Sequence, residues 1–191
     1  MLEALLQLLN GQRPERIVWT ADITYWLAGR QQASAAQGQW NTEDGYSSDN
    51  SASLYDEYMA GGHRRRIERL HAAGVKCAVH LDGRVRGLLP KLVRSGFDTV
   101  EALTPKPAGD LELAAIRDLA GSDTLILWGG VPGIMFAPPY TWPQMESHVR
   151  RLVECWGDRP FILGVADQVP PDGDIEFCRK IAQLIQSKPE A

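Results

Sequence analysis

From about residue 70 onward, short apolar runs alternate with longer stretches of helical period. Residues 75–80, 97–103, 124–128 and 160–165 are short, apolar and rich in strand-forming residues, and read as strands. A helical pattern follows each of them, over residues 85–95, 110–120, 141–156 and 172–185. Gly96 stops the first of these helices, and Asp110 and Thr141 stand at N-cap positions of the next two. Pro143 falls in a first turn, where a missing N–H costs little. Gly129-Gly130 breaks the third strand, and the bland reading of that break is a tight βα turn. Repeated strand–helix units predict parallel βαβ units with right-handed crossovers.

The N-terminal third is less regular. Met1 to Leu9 reads as an amphipathic helix ending at Asn10-Gly11, and residues 16–21 as one more strand. Residues 31–53 are polar, rich in Gln, Ser, Asn, Asp and Gly, and lack a periodic apolar pattern. They read as a loop or seam, which at this length is either functional or a junction. Residues 54–73 then read as a helix interrupted by Gly61-Gly62. The expectation is one α/β domain over residues 1–191: helix and first strand in 1–30, seam in 31–53, and a βα half-barrel in 54–189. About five parallel strands with flanking helices make a partial TIM-like barrel. A complete one needs eight strands and typically about 250 residues.

Composition changes this picture little. The net charge is −4, and the one basic run is Arg64-Arg65-Arg66, which argues against nucleic acid as a partner. No apolar run approaches the roughly 18 residues that span a bilayer. The opening residues, with Glu3 and no basic stretch, do not read as a signal peptide. Cys77, Cys155 and Cys178 are sparse, odd in number and far apart, so reduced thiols and a cytoplasmic location are expected.

Chemistry-bearing residues gather at predicted strand ends. His80 and Asp82 lie two apart, a spacing that puts both on one face. Glu101 lies near the end of the adjacent strand, and Asp167 just past the end of the last. In a barrel such ends form one rim. One imidazole and several carboxylates converging there would suit a divalent metal. The bland readings are a hydrogen-bonded structural His80 and a salt-bridged Glu101. Asp98 reads as a structural loop residue. Gly129, Gly130 and Trp128 could admit a substrate next to the backbone, with packing the alternative for each, as for Trp142.

Several segments carry a family resemblance. They are 70–76 (LHAAGVK), 79–83 (VHLDG), 96–105 (GFDTVEALTP), Gly109-Asp110, Gly129-Gly130-Val131-Pro132 and 164–171 (GVADQVPP). In this order they resemble the uroporphyrinogen decarboxylase superfamily, closest to its cobamide-dependent methyltransferase branch. The resemblance covers roughly residues 51–187, and residues 4–25 resemble the family's opening. It implies a (β/α)₈ barrel whose middle strands are missing here, with the stretch 31–53 in their place. A homodimer or a partner chain completing the barrel, or a truncated relic, would account for that.

The resemblance also implies chemistry. Those methyltransferases hold zinc with His-x-Cys on one strand and a further Cys on the last, and activate a thiol that takes a methyl group from a corrinoid. His80 matches the histidine, while Asp82 and Asp167 stand in place of the cysteines. Carboxylates are harder ligands, so zinc or another divalent metal is implied. Glu101 would tune the metal or bind substrate, and a small molecule or a corrinoid protein would supply the methyl group. The family's other activity is tetrapyrrole decarboxylation. Ala28-Gly29-Arg30 resembles its arginine-bearing loop, with Arg30 as a carboxylate clamp. The middle region that supplies that reaction's aspartate and tyrosine is absent, which ranks it below methyl transfer.

Overall fold

The structure, a computed structural model, describes residues 17–19, 54–166 and 168–186. The expected N-terminal helix, Arg30, the seam at 31–53 and Asp167 lie outside the described residues.

Five parallel strands form one sheet in chain order: β1 (Ile17–Trp19), β2 (Lys76–His80), β3 (Thr99–Leu103), β4 (Ile126–Pro132) and β5 (Phe161–Ala166). Helix α1 (Ala60–Ala72) precedes β2 and is entered through a π-helical turn, Tyr55–Met59. Helices α2 (Leu89–Ser95), α3 (Leu113–Ala120) and α4 (Trp142–Trp156) connect the later strands, and α5 (Glu176–Gln186) follows β5. The result is the partial TIM-like barrel that the strand–helix alternation predicts.

Alternation along the strands sorts the two sheet faces. Cys77, Val79, Val100 and Leu127 enter the apolar core beneath the helices, with Ile67, Leu92, Ile116 and Trp156. On the other face the parallel register sets Ala78 beside Thr99, Thr99 beside Ile126, and His80 beside Glu101.

Four expectations are corrected. Gly61-Gly62 does not interrupt α1, which runs through both. The helix expected from Asp110 begins at Leu113, with Glu112 as its N-cap. The Asp110 carboxylate instead accepts the backbone N–H of Val85 at 3.0 Å. Val85 is itself fully buried, and the helix expected from it starts at Leu89.

Gly129-Gly130 does not end the third strand either, because β4 continues through both to Pro132. A Cβ on Gly129 would sit 2.8 Å from Leu103 O, and one on Gly130 would sit 2.6 Å from a Leu152 methyl. Only glycine lets β4 pass so close to β3 and α4. Thr141 does cap α4, in a reciprocal capping box with Gln144.

Candidate functional site

β2 and β3 end side by side, and their last polar residues meet. The His80 Nδ1–H donates to Glu101 Oε2 at 2.5 Å, across the register pair His80–Glu101. Asp82, two residues on, places Oδ2 3.9 Å from His80 Nε2. All three side chains are partly accessible: 29 % for His80, 27 % for Asp82 and 19 % for Glu101. The two carboxylates thus address opposite nitrogens of one imidazole. With Nδ1 turned to Glu101, Nε2 is the ring nitrogen on the Asp82 side.

The backbone around this pair is shaped to present it. Ala102, directly after Glu101, has φ +63, a left-handed conformation rare for a residue with a Cβ. The β3–β4 register shifts between Val100 and Leu103 at the same place. The buried Thr104 hydroxyl donates to Ala102 O at 2.8 Å and holds the kink. Gly109 closes the loops behind the rim, since its Cβ would meet Thr104 O at 1.7 Å and Gly83 O at 3.2 Å. Asp110 ties the same two loops through Val85. None of these ties has a sequence signal of its own except the glycines.

Trp128, on β4, lies against Gly164 of β5, where an added Cβ would be 2.9 Å from its indole Nε1. Gly129 and Gly130 are accounted for by the close packing above. The Gly130 carbonyl accepts His148 Nε2–H at 2.6 Å. Burial holds the His148 pKa below the usual histidine range. Trp142 meets Phe177 edge-on, with ring centroids 5.5 Å apart, so it is committed to packing.

A second polar cluster stands at the opposite end of β2 and β3. Asp98 Oδ2 accepts from His71 Nε2–H and from the Cys77 backbone N–H, each at 2.8 Å, and Oδ1 accepts from Lys76 Nζ at 2.8 Å. His71, Cys77 and Asp98 bring ligand-type atoms within 4.8 Å of one another. The carboxylate already accepts three hydrogen bonds, and burial pushes the Cys77 thiol up to about 11. At neutral pH this is a clasp between a helix end and two strand starts, as expected for Asp98 as a structural residue.

This fold is shared with a methyltransferase from Methanosarcina mazei. The superposition has a TM-score of 0.56 at 13 % identity, over 71 % of this chain and 37 % of that one. A B12-independent methionine synthase from Shewanella sp. W3-18-1, in complex with selenomethionine, superposes with a TM-score of 0.48 at 14 % identity, over 70 % of this chain and 42 % of that one. The chain thus spans less than half the length of either protein. No protein-family model matches the sequence, and no curated protein does. No described helix is long and apolar enough to cross a membrane.

Proposed function

We propose that the chain is a methyltransferase-like protein of the uroporphyrinogen decarboxylase superfamily, built around a divalent metal at the His80 rim. One observation carries this reading: Glu101 holds His80 through Nδ1 while Nε2 faces Asp82 at 3.9 Å. A carboxylate on one ring nitrogen and the metal on the other is the usual setting of a ligating histidine. Two ligands at about 2.1 Å in a tetrahedral site lie about 3.4 Å apart, so Nε2 and Oδ2 need close by only about half an ångström.

The donors fit a metal that accepts nitrogen and oxygen: His80 and Asp82 as ligands, Asp167 as a third in the same proposal, and Glu101 as the orienting group. The set is harder than two thiolates and an imidazole, so zinc competes there with manganese and similar ions. When bound, the metal supplies Lewis acidity that lowers the pKa of an acceptor thiol or hydroxyl. The chain's part is to hold the imidazole in one tautomer and orientation. The acceptor's bond to the methyl carbon would form as the donor's bond to it breaks, the electron pair staying on the donor and the acceptor's proton leaving to solvent. A corrinoid, free or on a protein, or a small methylated molecule is the donor.

Metal analysis and calorimetry test this. One divalent ion per chain is expected, lost in His80→Ala and Asp82→Ala. Metal-free protein that binds none of zinc, manganese or cobalt would sink the reading, as would full binding by both variants.

A second reading, a half-barrel that pairs with another chain, is favoured by β5. Its residues from Phe161 to Val165 are only half-buried, and the strand lies at the end of the sheet order. Sedimentation decides it: a stable monomer at high concentration argues against pairing.

A further inference from the structure

We propose that a cleft along α1 binds a small ligand carrying two or more phosphate groups. The cleft measures about 570 Å³, and among the described residues Gly62, Arg65, Arg66, Arg69 and Leu70 line it. It belongs to the outer helical layer and is independent of the His80 rim and of any metal there.

Three observations carry the assignment. First, the arginines are unspent. Among the described residues, none of Arg65, Arg66 and Arg69 is within ion-pair reach of a carboxylate. Elsewhere on this acidic chain Lys91 pairs with Asp56, Lys106 with Glu112, Arg150 with Glu146 and Arg179 with Glu176. Even Glu68, on the same helix, pairs with none of them. Three exposed, unpaired guanidiniums on one turn of helix repel one another, and an anion relieves that repulsion.

Second, the helix carries glycine where packing does not ask for it. A Cβ on Gly62 would meet nothing within 4 Å. Glycine inside a helix costs about 1 kcal/mol relative to alanine. What it provides is bare backbone at the cleft floor. A Cβ on the neighbouring Gly61 would touch Arg65 Nη1 at 3.4 Å, so that guanidinium lies close along the helix.

Third, the lining matches phosphate better than an acidic peptide. Guanidinium forks meet phosphate oxygens bidentately. Residues 65 and 69 are one helical turn apart, with Cβ atoms about 5–6 Å from each other, a span that two linked phosphates bridge. Among the described residues Leu70 is the one apolar side chain in the lining beside three guanidiniums, a balance that suits a small polyanion.

Calorimetric titration with inorganic pyrophosphate, without added metal and at about 0.15 M salt, tests the proposal. Saturable one-to-one binding is expected. The double substitution R66Q/R69Q should weaken it at least about tenfold, by removing two charge-assisted contacts. Gly62→Leu, which fills the floor with a good helix former and leaves the charge alone, should weaken it too. Arg94→Gln, on α2, should leave it unchanged. Absence of binding at millimolar pyrophosphate overturns the proposal, as does equal affinity in R66Q/R69Q. Tighter binding of a hexaglutamate peptide than of pyrophosphate overturns it as well, by assigning the cleft to an acidic protein segment.

Discussion

His80 and Glu101 are register partners on adjacent parallel strands, and Nδ1 of one lies 2.5 Å from Oε2 of the other. Backbone pairing alone brings them together, so the orientation of the imidazole is set before any ligand arrives. Glu101→Gln tests what that orientation is worth. It keeps the shape and removes the charge that raises the basicity of Nε2. Metal affinity measured by competition with a chelating dye should fall about 10- to 100-fold. Affinity equal to that of the parent protein would remove Glu101 from the site.

The strand order and helix α4 are legible from apolar runs and the Thr141 cap, because those signals are local, whereas α5 begins at Glu176 and not at the expected residue 172. The His80 rim was half legible. Strand ends place His80, Asp82 and Glu101 near one another, but only the side-chain geometry shows that the carboxylates face opposite ring nitrogens. Asp110 was misread as a helix cap because its competing partner, the Val85 N–H, lies 25 residues away in sequence. Gly129-Gly130 was misread as the end of a strand because a glycine pair looks alike in a turn and in a strand squeezed against its neighbours. The clasp around Asp98 joins residues 71, 76, 77 and 98, and no short motif encodes it.

That clasp predicts an asymmetric pair of effects. Asp98→Ala leaves the buried Cys77 N–H without its acceptor and frees Lys76 and His71 together. A loss of about 2–3 kcal/mol in urea unfolding is expected. His71→Ala removes one partly exposed contact and should cost under about 1 kcal/mol. Equal losses in the two variants would contradict the geometry.

The approach of β4 to β3 predicts another contrast. Gly129 has φ +131, and its Cβ would lie 2.8 and 2.9 Å from Leu103 backbone atoms. Gly129→Ala combines backbone strain with a clash that cannot be relieved by rotating a side chain. It should cost about 2–4 kcal/mol. Gly74 also has positive φ, +73, but open space around it, so Gly74→Ala should cost only about 1 kcal/mol. Thermal unfolding of the two variants side by side checks the order, and a Gly74→Ala penalty as large as that of Gly129→Ala would refute it.

Two histidines, His63 buried and His148 partly buried, give the fold an acid limit. His63 lies between the rings of Tyr55 and Phe97, with centroids 5.7 and 5.3 Å away. Burial, aided by Arg66, holds its pKa below the ordinary 6.5. Burial does the same to His148, with Arg151 adding to it and the Gly130 carbonyl and Glu112 opposing it. A depressed histidine pKa means that, below about 6.5, the unfolded chain binds a proton that the native state refuses. Stability is therefore level above that pH with respect to these two groups, and falls as the pH drops through the window beneath it. Each contributes a slope of up to about 1.4 kcal/mol per pH unit there. His148→Gln retains a side-chain N–H for Gly130 and cannot titrate, so it should remove one of the two contributions. Urea midpoints measured from pH 7.5 down to about 5 should thus fall less steeply in the variant. A parent protein whose midpoint rises on acidification through this range would show that both histidines take up protons in the native state.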